Sequence, residues 1–274
     1  KDASSEAIYG IRAANGVVLI TTRKGRSGRP AVNYTGFVGV QRVTNQVEMA
    51  NANEYATMLN EKSVITGGGQ VIDPSAFGEG TNWYDVILRN ALIHNHQVSL
   101  SGGSERSTYN FSLGYLMQEG IVKTHDFSRV TARLQNDFRI TDNIRVGYTV
   151  TGSGSKSDDI NGGIFYQAFV APPVIPVKYS DGSYGDPGDY PTGNFANPQV
   201  TLDFNNQESR NYRLTGNVFG EVTFLQNFTF RTSLGGEYGE GEVLAYTPVY
   251  NATTVQNNNV SRLRVERADT RNWI

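Results

Sequence analysis

RVTARLQNDFRI, residues 129–140, decides how the rest of the chain is to be read. Val130, Ala132, Leu134, Phe138 and Ile140 share one side of an extended strand, and Arg129, Thr131, Arg133, Gln135, Asp137 and Arg139 share the other, because successive strand side chains point to opposite faces. The second face is too polar to line a packed core. The apolar side is therefore expected to meet hydrocarbon, and the polar side, Gln135 included, to meet a watery lumen. The same alternation runs through Val32, Tyr34, Val38, Val40; Tyr109, Phe111, Leu113, Tyr115; Ile144, Val146, Tyr148, Val150; Tyr212, Leu214, Val218, Val222, Phe224; and Phe228, Phe230, Leu234, Tyr238. These runs approach the roughly 9 to 11 residues that cross a bilayer at a tilt, rather than the five or six of an average soluble strand.

The connections alternate in length. Residues 102–107, 141–143 and 225–227 read as tight turns, and residues 42–95, 118–126, 155–207 and 242–259 as longer excursions. Short turns at one rim and long loops at the other are the layout of an outer-membrane barrel, with the short side periplasmic. The first strand then rises outward, and loops 42–95 and 155–207 are extracellular. A helix is predicted in the first of them, with Asn51 as N-cap, Glu54 as the reciprocal capping-box residue, and Tyr55, Met58 and Leu59 on its packing face.

Composition narrows the classes. The 274 residues are 38% hydrophobic and 18% charged, with no apolar run long enough for a transmembrane helix. The formal charge of -2 leaves no basic footprint for nucleic acid. Cysteine is absent, which removes disulfides, thiolate nucleophiles and cysteine metal sites. The sequence begins at Lys1 without a methionine or signal peptide and its last residues read as a strand, so the expectation is a piece of a longer protein with further strands beyond Ile274.

Before the first strand the pattern changes. In DASSEAIYGIRAANGVVLITT, residues 2–22, Asp2 can cap a short helix that Gly10 stops, Asn15 and Gly16 make a turn, and residues 17–20 form a continuous apolar run typical of a buried strand. RKGRSGRP, residues 23–30, then reads as an exposed linker. The run KDASSEAIYGIRAANGVVLITTRKG resembles the end of the plug domain of SusC/RagA-family TonB-linked outer-membrane transporters, and NWYDVILRNALIHNHQVSLSGGSERSTYNFSLGYLMQEGIV, residues 82–122, is similar to the same family's pattern.

The expected fold is therefore an all-β membrane fold. Residues 1–23 are the helix-turn-strand end of a plug, residues 24–30 a linker, and residues 31–274 about seven or eight antiparallel strands of a transmembrane β-barrel of roughly 22. The resemblance implies TonB-dependent nutrient import across the bacterial outer membrane, of an oligosaccharide or peptide, together with a SusD-like surface lipoprotein and an inner-membrane TonB complex. The segment that would contact TonB is not in this sequence, so energy coupling is carried by resemblance alone. Two other readings compete. One is a small self-contained structural or adhesive barrel; the other is a secreted carbohydrate-binding β-sandwich.

Chemistry-bearing residues are sparse. His94 and His96, two apart, face the same side of a strand, but no carboxylate or third histidine lies at a ligand spacing, and they are read as the outer rim of the second strand. Asp181, Asp186 and Asp189 make an oxygen-rich loop that is a weak candidate for calcium, without EF-hand spacing. No nucleophile has an identifiable base, and Gly67, Gly68 and Gly69 lack the lysine and helix of a phosphate loop, so neither an enzyme nor a cofactor is expected. Trp83, Tyr84, Phe165, Tyr166, Tyr184, Tyr190 and Phe195 lie on the expected outer loops. They are candidates to stack on sugar rings or meet a covering partner, with Trp83, Tyr84, Tyr184, Tyr190 and Phe195 carrying the substrate or lid contact.

Overall fold

The computed structural model describes residue 25, residues 27–225 and residues 227–273. The helix-turn-strand expected over residues 2–22 lies outside the described residues. Eight strands form one antiparallel sheet: β1 (Gly28–Gln41), β2 (Ala91–Gly103), β3 (Ser107–Glu119), β4 (Asp126–Arg139), β5 (Ile144–Asp158), β6 (Asn206–Phe224), β7 (Phe228–Thr247) and β10 (Arg262–Trp273). Each pairs with the next in that order, and the sheet is open between β1 and β10. Two short strands, β8 (Tyr250–Asn251) and β9 (Asn257–Asn258), make a separate hairpin. All three short turns lie at the rim where β1 begins, and the long connections, residues 42–90, 120–125, 159–205 and 248–261, lie at the other.

Burial runs opposite to that of a soluble sheet. Val32, Leu134, Val218 and Leu234 are 73%, 38%, 58% and 65% exposed, whereas Gln135 and Asp137 on the other face of β4 are 6% and 8% exposed. Apolar side chains occupy the uncovered face and polar ones the enclosed face, the arrangement of a wall between hydrocarbon and lumen. Asn136, on the outward face of β4, donates its amide N–H to the Tyr148 hydroxyl at 3.0 Å, which covers one polar group on this apolar surface with another.

The register also records how the strands lean. One outward row runs Val32, Leu100, Phe111, Leu134, Val150, Gly216, Gly236, Trp273, and the row towards the long loops runs Val38, His94, Met117, Ser128, Lys156, Arg210, Glu242, Arg267. The second row passes from aliphatic to charged as it crosses the sheet. Relative to the paired rows, the β7 apolar run continues eight residues beyond Gly236 to Phe228, and it stops at Tyr238, six short of Leu244, which lies level with Val40. A slip of six to eight residues is about 20–27 Å along the strand, against about 29 Å for six interstrand steps. The strands therefore lean by about 35–43° from the normal to a level apolar band, within the tilt of outer-membrane barrels.

Three expected boundaries move. Gly28, Arg29 and Pro30, expected in the linker over residues 24–30, belong to β1, with the register shifting between Gly28 and Ala31. A proline without an N–H fits such an irregular strand start. The two long loops contract to residues 42–90 and 159–205 because β2 starts at Ala91, β5 runs on to Asp158 and β6 starts at Asn206. The added ends of β5 and β6 carry polar residues on both faces, and Ala91, Leu92 and Ile93 make the start of β2 apolar on both, so none of them shows alternation to read.

Candidate functional site

The apolar core of the described residues lies in the long connections rather than in the sheet. Helices α1 (Ala52–Ile65), α2 (Trp83–Ile87), α3 (Ile164–Val170) and α4 (Pro198–Phe204) gather Ala52, Ala56, Trp83, Ile87, Ile164, Ala168, Val174, Ile175 and Leu202 into one cluster, which Val122 joins from the connection between β3 and β4. These segments make a cap over the long-loop rim. The capping box of α1 forms as the sequence predicts: Asn51 Oδ1 accepts from the Glu54 N–H, and Glu54 Oε2 accepts from the Asn51 N–H, both at 2.9 Å. Its packing face keeps the expected Tyr55, partly buried against the core, but is centred on smaller residues. Ala52 and Ala56 are fully buried while Met58 is exposed, because close packing of this helix admits small residues and leaves the long thioether outside.

Trp83 is the hinge of the cap. It is only 3% exposed, and its indole N–H donates to the Pro172 carbonyl at 3.0 Å, tying the first long loop to the second. Thr81 makes the same crossing twice, from its N–H to the Pro173 oxygen at 2.8 Å and from its hydroxyl to the Ile175 oxygen at 2.8 Å. Gly80, just before Thr81, is required on two counts: its φ is +73°, and an added Cβ would come within 2.4 Å of both the Ala52 Cβ and the Pro173 oxygen. A cavity of about 480 Å³ opens beside this crossing, between residues 46–51, residues 79–83 and the Ala168–Ala171 end of α3.

The connection over residues 248–261 is fastened to the one over residues 159–205. Asn197, buried at the start of α4, donates its amide to the carbonyls of Val177 and Gly185, accepts from the Gln199 N–H, and exchanges backbone bonds with the Gln256 side chain. Phe204 stacks on Tyr250 with centroids 4.0 Å apart. Partial burial pushes the Asp186 carboxyl up, but hydrogen bonds from the Thr254 hydroxyl, the Gly188 N–H and the Thr254 N–H outweigh it and hold the group below the ordinary aspartate range.

The other candidates fall into place around this frame. Asp181 Oδ1 accepts from the Ser183 N–H and hydroxyl, and Asp189 accepts from the Tyr179 hydroxyl. The three aspartates thus close separate turns and ties, and among the described residues no group of three or more histidines, aspartates and glutamates is placed to hold a metal ion. Tyr84 and Tyr190 pack partly buried against the core, Tyr190 also meeting the Phe77 ring. Tyr184 donates to Asp203 Oδ2 at 2.7 Å beneath the Lys178 ammonium, 4.7 Å from its centroid. Burial, then the hydrogen bond and charge of Asp203, push its phenol up to about 12. Phe195 is half-buried beside Gly193.

The aromatic surface of the cap lies elsewhere. On α3, Ile164 and Ala168 face the core, while Phe165, Tyr166 and Phe169 are 42%, 70% and 48% exposed. Sequence reasoning placed Phe165 and Tyr166 on an outer loop and missed Phe169. The signal was present: at helical spacing, residues 164 and 168 share one stripe and 165 and 169 the next.

Comparison with known proteins places this geometry. No family model matches the chain. The TonB-dependent receptor SusC of Bacteroides thetaiotaomicron is 32% identical over 268 residues, 88% of this chain and 26% of that protein. The TonB-dependent receptor P26 of Formosa agariphila is 29% identical over 279 residues, all of this chain and 28% of that protein. Among solved structures, the RagAB peptide importer in its closed-closed state matches with a TM-score of 0.77 at 19% identity, over 97% of this chain and 34% of that one. Its open-open state matches with a TM-score of 0.76 at 21% identity, over 100% and 35%. The chain thus spans about a quarter of the length of the curated relatives it matches.

Proposed function

We propose, from the premise that this chain belongs to the SusC/RagA-like TonB-dependent receptors, that it forms part of the wall and outer cap of an outer-membrane importer. The single observation that carries this is the inverted sheet, apolar outward and polar inward, with every long connection at one rim. The short-turn rim is periplasmic and the cap extracellular, so β1 rises outward and the wall is crossed once by each long strand. Import is driven through TonB, and a SusD-like surface lipoprotein closes over the cap. The substrate is an oligosaccharide or a peptide, the two classes that the family resemblance implies.

Residues 1–23 serve as the end of a plug, and the chain passes Gly25 on the lumen side of the wall before β1. Gly25 supports this path: the three nearest neighbours of an added Cβ would be the backbone oxygen, nitrogen and carbonyl carbon of Tyr109, at 2.5, 2.7 and 2.8 Å. Gly25 therefore lies against the face of β3 opposite the outward Tyr109 ring.

The lid or substrate contact is made by Phe165, Tyr166 and Phe169. Trp83, Tyr84, Tyr184, Tyr190 and Phe195 support it by holding the cap in shape. Replacing the three α3 aromatics with alanine in the whole transporter is expected to weaken lid co-purification and slow growth on the cognate nutrient, with surface level and heat-modifiable migration unchanged, since exposed aromatic anchors dominate contact energy and contribute little to strand pairing. Normal lid recovery and normal growth would remove α3 from the transport path.

A further inference from the structure

The outward face of β2 carries two ring nitrogens where aliphatic residues would be expected. His94 and His96 stand in the rows between Val38 and Met117 and between Gly36 and Tyr115, on the face that meets hydrocarbon. Ionisable groups on such a surface are costly and mark function by default. Their imidazole centroids are 5.2 Å apart with 44° between the planes. His94 Nε2 lies 3.3 Å from the Met117 sulfur, and His96 Nδ1 lies 2.6 Å from the Tyr34 hydroxyl, which leaves His96 Nε2 for another partner. His94 Nδ1 is enclosed and has no hydrogen-bond partner. Gly36 makes room for the pair, since a Cβ there would come within 2.5 Å of the Tyr34 oxygen and 3.0 Å of His96 Nδ1.

We propose that His94, His96 and Met117 form a two-imidazole, one-thioether site for a soft monovalent metal ion of the Cu⁺ class on the outer wall of β2. Two imidazoles bound to one ion at about 2.0–2.1 Å place their centroids about 5–5.5 Å apart at tetrahedral to trigonal angles, which the observed spacing meets. At the same angles a nitrogen and a sulfur sharing such an ion, at Zn-like bond lengths, lie roughly 3.5–3.8 Å apart, so His94 Nε2 and the Met117 sulfur, at 3.3 Å, need to open by only a few tenths of an ångström. Thioether ligation selects a soft ion over calcium, magnesium or zinc, and imidazole accepts the same ion. The Tyr34 hydroxyl supplies the outer hydrogen bond that fixes a ligating ring.

The test uses the whole transporter in detergent, titrated with Ag⁺ and, under reducing conditions, with Cu⁺ against a chromophoric chelator. One ion is expected at this site. M117L, which keeps the side-chain volume, should abolish competition with the chelator, and Y34F should weaken it about tenfold or more. X-ray absorption of the Cu⁺ form should show one sulfur beside nitrogen neighbours. Unchanged affinity in M117L at normal heat-modifiable migration, or a coordination sphere without sulfur, would overturn the site.

Discussion

The wall and the cap of this chain solve opposite solvation problems with the same nineteen residue types. In the wall, Val32, Leu134 and Leu234 stand uncovered while Gln135 and Asp137 are enclosed. In the cap, Ala52, Trp83, Ile164 and Ile175 are enclosed, and charged side chains such as Glu61 and Lys62 face out. Strand pairing satisfies the wall backbone whether or not any side chain packs, because each ladder bond is made between neighbouring strands. The cap has short helices of five to fourteen residues that cannot stand alone in water, so it depends on burial and on crossing bonds such as Trp83 to Pro172. The wall is therefore governed by which face a residue occupies, and the cap by how completely its few large side chains are filled in.

The largest effect expected from breaking this contrast is in the cap. Trp83→Ala removes the central ring and the bond to Pro172, at about 3–5 kcal/mol. The loss should be local. Limited proteolysis of the whole protein should open residues 42–90 and 159–205 together while the barrel keeps its heat-modifiable migration. Cleavage confined to one loop would show that Trp83 does not join them.

In the wall the contrast is between faces. Leu134→Arg sets a cation against hydrocarbon near the middle of the β4 apolar run and should cost about 2–4 kcal/mol, whereas Thr35→Arg on the exposed lumen face of β1 should be nearly silent. Folding titrations in lipid vesicles read the difference, and equal costs would refute the assignment of faces. Gln135 is the wrong partner for this comparison. It lies on the lumen side as its alternation predicts, but enclosure of its side chain, with Oε1 unpaired, leaves no room for a silent change to arginine.

How much of this was legible follows from the same physics. Period two reveals a strand only where its two faces differ in polarity, so residues 129–140 could be read while the polar ends of β5, β6 and β7 could not. The row Lys156, Arg210, Glu242 and Arg267 shows why: as the tilted strands rise past the apolar band, their outward positions turn charged and alternation ends. The Asn51 and Glu54 cap was legible because it is local in sequence. The cap core was not, since Trp83 meets Pro172 across 89 residues, and an amphipathic indole reads equally as a rim or a core residue. Met117 joined His94 only through the register of β2 with β3, which no spacing within one strand displays.

The smallest effect expected separates the cap from the wall by pH. Tyr184 sits in the second long loop, outside the strands, and its phenol is pushed up to about 12 by burial and by Asp203. Unfolded, the same group titrates near 10. The proton is thus held more tightly in the folded cap, and the stabilisation is complete below about pH 10 and lost progressively as pH rises to about 12. The Lys178 ammonium lies over the ring and 3.8 Å from Asp203. Tyr184→Phe keeps the ring under Lys178 and removes only the hydroxyl, at about 1 kcal/mol near neutral pH. Hydrogen exchange of residues 178–204 between pH 9 and 11, corrected for intrinsic rates, should rise more steeply in wild type than in the variant, while the β4 and β5 amides respond alike in both. Identical steepness would show that the Tyr184 phenol does not carry the alkaline loosening, and a change spreading into β4 and β5 would show that cap and wall unfold as one unit.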